Sequence, residues 1–143
     1  MANKIFVDSD VVIDFFTDRM PFANPASELF DWAEKEKVHV YLSAVSINNI
    51  YYIVRKYLGH KKAVRIIEDL TEITEIIGTT KSEIVQALKN DFKDFEDSVQ
   101  YSTALSIGGI EAIITRNVKD YRNAQIAVFT PENYLKMRKK NES

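Results

Sequence analysis

The chain of 143 residues has no cysteine and only two histidines, His39 and His60. The first absence excludes disulfides and thiolate metal sites and fits a reducing compartment, so a cytoplasmic location is the default expectation. The second leaves no histidine-rich zinc site, and any metal must rest on oxygen. No apolar run approaches the roughly 20 residues of a membrane span, and the opening MANKIF lacks the basic, apolar and cleavage-site order of a signal peptide. Phosphate-cradling glycine motifs are missing too: Gly108-Gly109 has neither GxGxxG nor Walker surroundings and reads as a turn. Neither histidine has serine or aspartate beside it in a triad-like setting, so nucleophilic hydrolase chemistry has no support.

Acid is also missing from one stretch. Residues 37–67 contain no Asp or Glu, while Arg55, Lys56, Lys61, Lys62 and Arg65 crowd one end of it. Residues 68–97 reverse the balance, with nine acids against Lys81, Lys89 and Lys93, although the net charge is only −2. A basic surface beside an acidic pocket can hold a polyanion and a metal together. Two solvated helix faces are the plainer alternative.

What is present suffices for one compact core: 45% of residues are hydrophobic, including 1 Trp, 7 Tyr and 8 Phe. One domain is expected over residues 1–143, with a loosely held basic tail from about 136 to 143. The segments KIFVD, VHVYLS, ITEIIG, EAIIT and IAVFT read as strands. Helices are expected between them. Val12, Phe15 and Phe16 keep helical spacing after Asp8, and Asn24-Pro25 reads as a cap with proline at the first position of a helix over 25–36. Ile47, Ile50, Tyr51, Val54 and Leu58 form a stripe ended by Gly59, and another helix starts at His60. Thr80 and Glu83 form a capping box, 95–107 is a further helix, and Thr130-Pro131 opens the last one. The alternation implies right-handed crossovers and a parallel sheet covered on both faces, an α/β/α sandwich of about five strands. Trp32, Phe30, Tyr51, Tyr52 and Tyr57 sit at helical spacings that suit core or interface better than base stacking.

In such sheets ligands bind beyond the carboxyl ends of the strands. Asp8 ends the first strand there, Thr115, Arg116 and Asn117 end the fourth, and Asp94 and Asp97 open the helix leading into it. Acids gathered from distant segments suit a hard divalent cation and phosphoester chemistry. Each acid also has a plainer reading. Asp8 and Asp94 are good helix N-caps, and Asp97 fits the third position of a capping box. Asp10 with Asp8 in VDSDVVID also fits the DxDxV signature of haloacid-dehalogenase-type phosphatases, but no Gly-Asp dipeptide follows.

Together, IFVDSDVVIDFF, YLSAVSINNIYYIV, DFEDSVQYSTA and IITRNVKDY followed by VFTPENYL resemble the PIN domain family, which includes the VapC-type toxin ribonucleases of toxin–antitoxin pairs. The resemblance covers essentially the whole chain. It implies an α/β/α sandwich and acids that hold Mg²⁺ or Mn²⁺ for attack on RNA phosphodiesters. Asp8 stands at the family's first acidic position and Asp97 at the third, whereas Asn49 and Asn117 stand at the second and fourth, with Thr115 retained. The resulting expectation is a metal held by Asp8, Asp97 and Asp94, help from Asp120, and Asn49, Asn117 and Thr115 positioning water or phosphate. Arg55, Lys56, Lys61, Lys62 and Arg65 would bind RNA. An antitoxin and a second copy of the chain are the expected protein partners. The two asparagines also motivate an alternative, a catalytically weak or inactive PIN-like module that binds RNA or protein.

Overall fold

The structure, a computed structural model, describes residues 3–142. Its elements, in chain order, are β1 (Asn3–Val7), α1 (Ser9–Phe16), α2 (Ala23–Glu34), β2 (Val38–Ser43), α3 (Ala44–Leu58), α4 (His60–Ile73) and β3 (Glu75–Ile77), then α5 (Lys81–Lys89), α6 (Phe95–Leu105), β4 (Ile110–Ile114), a short 3₁₀ turn (Val118–Tyr121), β5 (Ala127–Phe129) and α7 (Pro131–Glu142). The five strands form one parallel sheet in the order β3-β2-β1-β4-β5. The expected α/β/α sandwich is what the chain forms.

Alternation along the strands feeds two cores. Ile5 and Val7 of β1 and Ala112 and Ile114 of β4 point into a large core against α1, α2, α3, α4 and α7. Phe6 and Ile113 point the other way, onto Tyr101, Ala104 and Ile107 of α6 and onto Tyr121. Sheets covered on both faces read as continuous apolar runs, which explains the unbroken IFV and AII. Each fully buried side chain such as Leu42, Ile50 or Leu70 contributes roughly 1.5–3 kcal/mol.

Several local expectations hold. The Thr80–Glu83 capping box is formed, and Gly59, with φ of +87°, both ends α3 and precedes α4, a left-handed conformation that glycine adopts without steric penalty. Others shift. The helix expected from Pro25 starts two residues earlier, at Ala23, because Ala23 N–H already donates to Arg19 C=O at 2.7 Å and proline is tolerated throughout the first turn. The helix expected over 95–107 ends at Leu105, and the third strand shortens to Glu75–Ile77. The tail expected to be loose from about residue 136 is helical through Glu142: Met137 packs on the core, and the Arg138 guanidinium lies 5.6 Å from the Trp32 ring. Among the described residues no helix is long and apolar enough to cross a membrane.

Strand order reverses direction between β1 and β4, since the chain builds β2 and β3 on one side of β1 and then returns to its other side. At this switch point the loops after the two strands diverge and leave a crevice at their carboxyl ends. Asp8 follows β1 and Thr115 follows β4 at that point.

Candidate active site

Asp8 is the N-cap of α1, as the plain reading expects, with Oδ1 accepting from Ser9 N–H at 2.8 Å. It does more than cap. Its Oδ2 accepts from the Thr115 hydroxyl at 3.0 Å and the Tyr121 hydroxyl at 3.3 Å, and Gln100 Nε2 approaches Oδ1 at 3.5 Å. Burial pushes the Asp8 carboxyl up, and these hydrogen bonds oppose that rise. The Tyr121 phenol is likewise pushed up, first by burial and then by the charges of Asp8, Asp97 and Asp10, so it remains a donor.

Gln100 belongs to a closed ring. The Ser43 hydroxyl at the end of β2 donates to Gln100 Oε1 at 2.7 Å, Gln100 Nε2 donates to the Ser46 hydroxyl at 2.7 Å, and the two serine oxygens are 2.8 Å apart. All three side chains are buried. The ring ties β2, α3 and α6 to the back of Asp8, and an exposed polar surface could not fix a carboxylate in this way.

Asp10 joins the site from the first turn of α1. Its Oδ2 accepts from Asn117 Nδ2 at 3.1 Å and from the Arg116 backbone N–H at 3.3 Å, with the Thr115 hydroxyl at 3.4 Å. Burial and the neighbouring Asp8 charge push Asp10 up to about 7, against the pull of Arg116. Asp97, half-buried in the first turn of α6, is also pushed up to about 7: burial is the largest cause, followed by the charges of Asp94, Asp8, Asp120 and Glu96.

The expected acids therefore fall into two groups. Asp8 and Asp97 face the same rim and feel each other's charge. Asp94 and Asp120 are exposed beside it; Asp94 uses Oδ1 to cap α6 through Glu96 N–H at 2.7 Å, and both reach Asp97 through charge. Among the described residues no three acidic or histidine side chains stand close enough to form a ready-made metal cage, so the expected trio of Asp8, Asp94 and Asp97 is not preassembled. The donor set nonetheless fits Mg²⁺ or Mn²⁺. Such ions need only one or two carboxylates, water filling the rest, and the repulsion from neighbouring carboxylates, which adds to burial in raising Asp10 and Asp97, is what a divalent cation relieves.

Asn49 lines a cleft of about 650 Å³ together with Ser9, Asp10, Tyr57, Arg19 and Arg116. Asn117 serves Asp10 as a donor, which differs from the expectation of a water-ordering or phosphate-positioning group. The expected RNA-binding residues Arg55, Lys56, Lys61, Lys62 and Arg65 are exposed on α3 and α4, and none lines this cleft. The cations that do are Arg19 and Arg116. Sequence reasoning also missed Gln100, Ser43, Ser46 and Tyr121, and it placed Asp10 in a phosphatase signature. A signal existed for Gln100, which follows Asp97 by one helical turn and must share its face.

A family model described as PIN domain matches residues 4–119. Ribonuclease VapC1 of Aquifex aeolicus (strain VF5) is 30% identical over 138 residues, which cover 93% of this chain and 94% of that protein. Among solved structures, a toxin–antitoxin complex from Klebsiella pneumoniae is similar with a TM-score of 0.67 at 21% identity, over 89% of this chain and 97% of that one. DNA-bound VapBC from Salmonella typhimurium is similar with a TM-score of 0.68 at 14% identity, over 90% and 98%. At those identities the solved structures speak for the fold. The strand order, the carboxylates at the β1/β4 switch point and the family match agree, and the chain belongs to the PIN domain family.

Proposed function

We propose that this protein is a divalent-metal-dependent ribonuclease that hydrolyses RNA phosphodiester bonds and acts in the cytoplasm as the toxin of a toxin–antitoxin pair. The observation that carries the reading is the placement of Asp10 and Asp97 on either side of Asp8 at the β1/β4 edge, each raised to about 7 by burial first and by the Asp8 charge among its neighbours. Perturbed carboxylates in a cleft are a signature of function. The names of its relatives support the substrate and the partner: one is a ribonuclease VapC1, and another was solved as a toxin–antitoxin complex.

Asp8, Asp10 and Asp97 would hold Mg²⁺ or Mn²⁺, which supplies water activation and neutralises charge developing on the phosphate oxygens. The chain's own groups do the rest. Thr115 and Tyr121 donate to Asp8 and fix its orientation, and Asn117 does the same for Asp10. Among the described residues no hydrogen-bond donor occupies the Asp97 carboxylate, which leaves its oxygens open to the ion, and the charges of Asp94 and Asp120 beside it add to the field that would draw a cation in. Arg55, Lys56, Lys61, Lys62 and Arg65 extend a basic surface along α3 and α4 for the RNA backbone. A basic side chain of an antitoxin, drawn to the same carboxylates, would compete with the metal.

One observation favours a second reading, a binding module without cleavage: Asn117 stands where the family carries an acid and spends its amide on Asp10. Calorimetric titration of Mn²⁺ into wild type and Asp8→Asn, with RNA cleavage followed in parallel, separates the two. The ribonuclease reading requires metal binding and cutting by wild type and loss of both in Asp8→Asn. Wild type that binds RNA without taking up Mn²⁺ or cutting would leave the binding module.

A further inference from the structure

Asp14 is 2% exposed on the second turn of α1. A buried carboxylate is costly, and burial pushes Asp14 up while Arg116 and Arg19 pull it down. Arg116 Nε stands 3.1 Å from Asp14 Oδ2, a charge-to-charge pairing without an aligned hydrogen bond. The guanidinium of Arg116 lies 4.8 Å from the Phe22 ring centre, and that of Arg19 lies 5.7 Å from the same ring. The backbone of Arg116 is tied to Asp10.

This arrangement holds Arg116 on three sides and leaves its two terminal nitrogens without a hydrogen bond among the described residues, beside the cleft that Asp10 and Asn49 line. Its side chain is 25% exposed. A purely structural pair would gain nothing from this placement, since apolar side chains of similar volume fill a buried ion-pair site at least as well. An acidic cleft, by contrast, repels a polyanion, and a fixed cation at its edge offsets that repulsion. Arginine's planar fork suits a phosphate, and its stacking on Phe22 reduces the entropy lost on binding.

We infer that Arg116 is a substrate-binding residue that grips an RNA phosphate at the edge of the cleft lined by Asp10 and Asn49, that Asp14 is its positioning residue, and that Arg19 shares the same Phe22 platform as a second cation. The inference rests on the ribonuclease reading and deepens it by placing the backbone contact at the mouth of the cleft, closer to the acids than the basic surface of α3 and α4.

The test is the double variant Asp14→Leu/Arg116→Met, which removes the pair without leaving a buried charge and so is expected to fold with its melting temperature retained or raised. Binding of a fluorescein-labelled single-stranded RNA is followed by anisotropy across a salt titration, in the Asp8→Asn background so that the probe stays intact. The double variant should bind about tenfold more weakly, with the salt slope reduced by about 0.7, the value for one lost phosphate contact on a single strand. In the cleaving background KM should rise more than kcat falls. An unchanged affinity and slope would overturn the inference, and so would an equal slope change in Lys35→Met, an exposed lysine just past the end of α2 that does not line the cleft, since the effect would then belong to any lost cation. Wild type that neither binds nor cuts RNA would overturn the ribonuclease reading and this inference together; wild type that cuts, with a double variant that matches it, overturns this inference only.

Discussion

Asn117 donates its side-chain amide to Asp10 Oδ2 at 3.1 Å, so an amide at the end of β4 serves an acid at the start of α1. Asn117→Asp would replace that donor with a second charge facing a carboxyl already raised to about 7. Without metal the variant should melt about 3–6 °C lower, from roughly 1–2 kcal/mol of lost hydrogen bond and added repulsion. With Mn²⁺ it should bind the ion about tenfold more tightly, as added ligand charge does for hard cations. Calorimetry with equal Mn²⁺ affinity in the two proteins would show that position 117 lies outside the metal's reach.

Asp97 gives the site a pH signature. Its folded value of about 7 stands above the ordinary carboxylate value near 4. Between those values the unfolded chain ionises while the folded site keeps its proton, so metal-free stability falls as pH rises through this window and the penalty is complete above about pH 7. Asp97→Asn should therefore melt roughly 3–6 °C above wild type at about pH 8, after allowing for solvent screening, and level with it near pH 4. Scanning calorimetry that finds the same difference at both pH values would rule out titration of Asp97 as its source.

The layers of this fold were readable because each strand is a short apolar run bounded by turn residues and each helix carries one apolar stripe. The Thr80 capping box and Gly59 marked boundaries by local chemistry alone, and the structure keeps both. Asp8 and Asp97 were legible for a different reason: one ends a strand and the other opens a helix, so topology puts them at the same edge. For Gln100 and Arg116 only the position was legible, one helical turn after Asp97 and at the end of the fourth strand; their partners were not. Gln100 acts through Ser43 and Ser46, 57 and 54 residues away, and Arg116 through Asp14 and Phe22; no local pattern encodes such contacts. The tail misled for the opposite reason. KMRKKNES is polar enough to look unattached, yet the stems of Met137 and Arg138 cover apolar surface while their neighbours stay in water.

Gln100 offers a sharper test of the site's rigidity. Gln100→Leu keeps the volume but removes one hydrogen-bond partner from each of the Ser43 and Ser46 hydroxyls, which keep each other at 2.8 Å in a buried space. Two lost neutral hydrogen bonds cost about 1–3 kcal/mol together, so the melting temperature should fall by roughly 3–9 °C. Loss of the amide behind Asp8 should lower RNA cleavage at least tenfold even well below the new melting temperature. A variant that loses stability but cuts RNA at the wild-type rate would reduce the ring to a packing device.

The C-terminal helix provides the last prediction. The Tyr134 hydroxyl donates to Glu111 Oε1 at 2.7 Å and accepts from Arg138 Nη1 at 2.8 Å, while Arg138 also covers Trp32 and Met137 packs on the core. Removing residues 136–143 would uncover Trp32 and deprive Tyr134 of a partner. The loss of one packed Met and one stacked Arg amounts to roughly 2–4 kcal/mol, a fall of about 6–12 °C in melting temperature. The ion pair of Lys139 with Glu28 at 2.6 Å contributes little to this, because both side chains are exposed and surface pairs rarely exceed about 1 kcal/mol. Lys139→Ala should therefore melt within about 2 °C of wild type while the truncation does not. A truncated chain that melts with the full-length protein would mean that α7 beyond Leu135 adds nothing to the fold, and the packing of Met137 and Arg138 would carry no energetic weight.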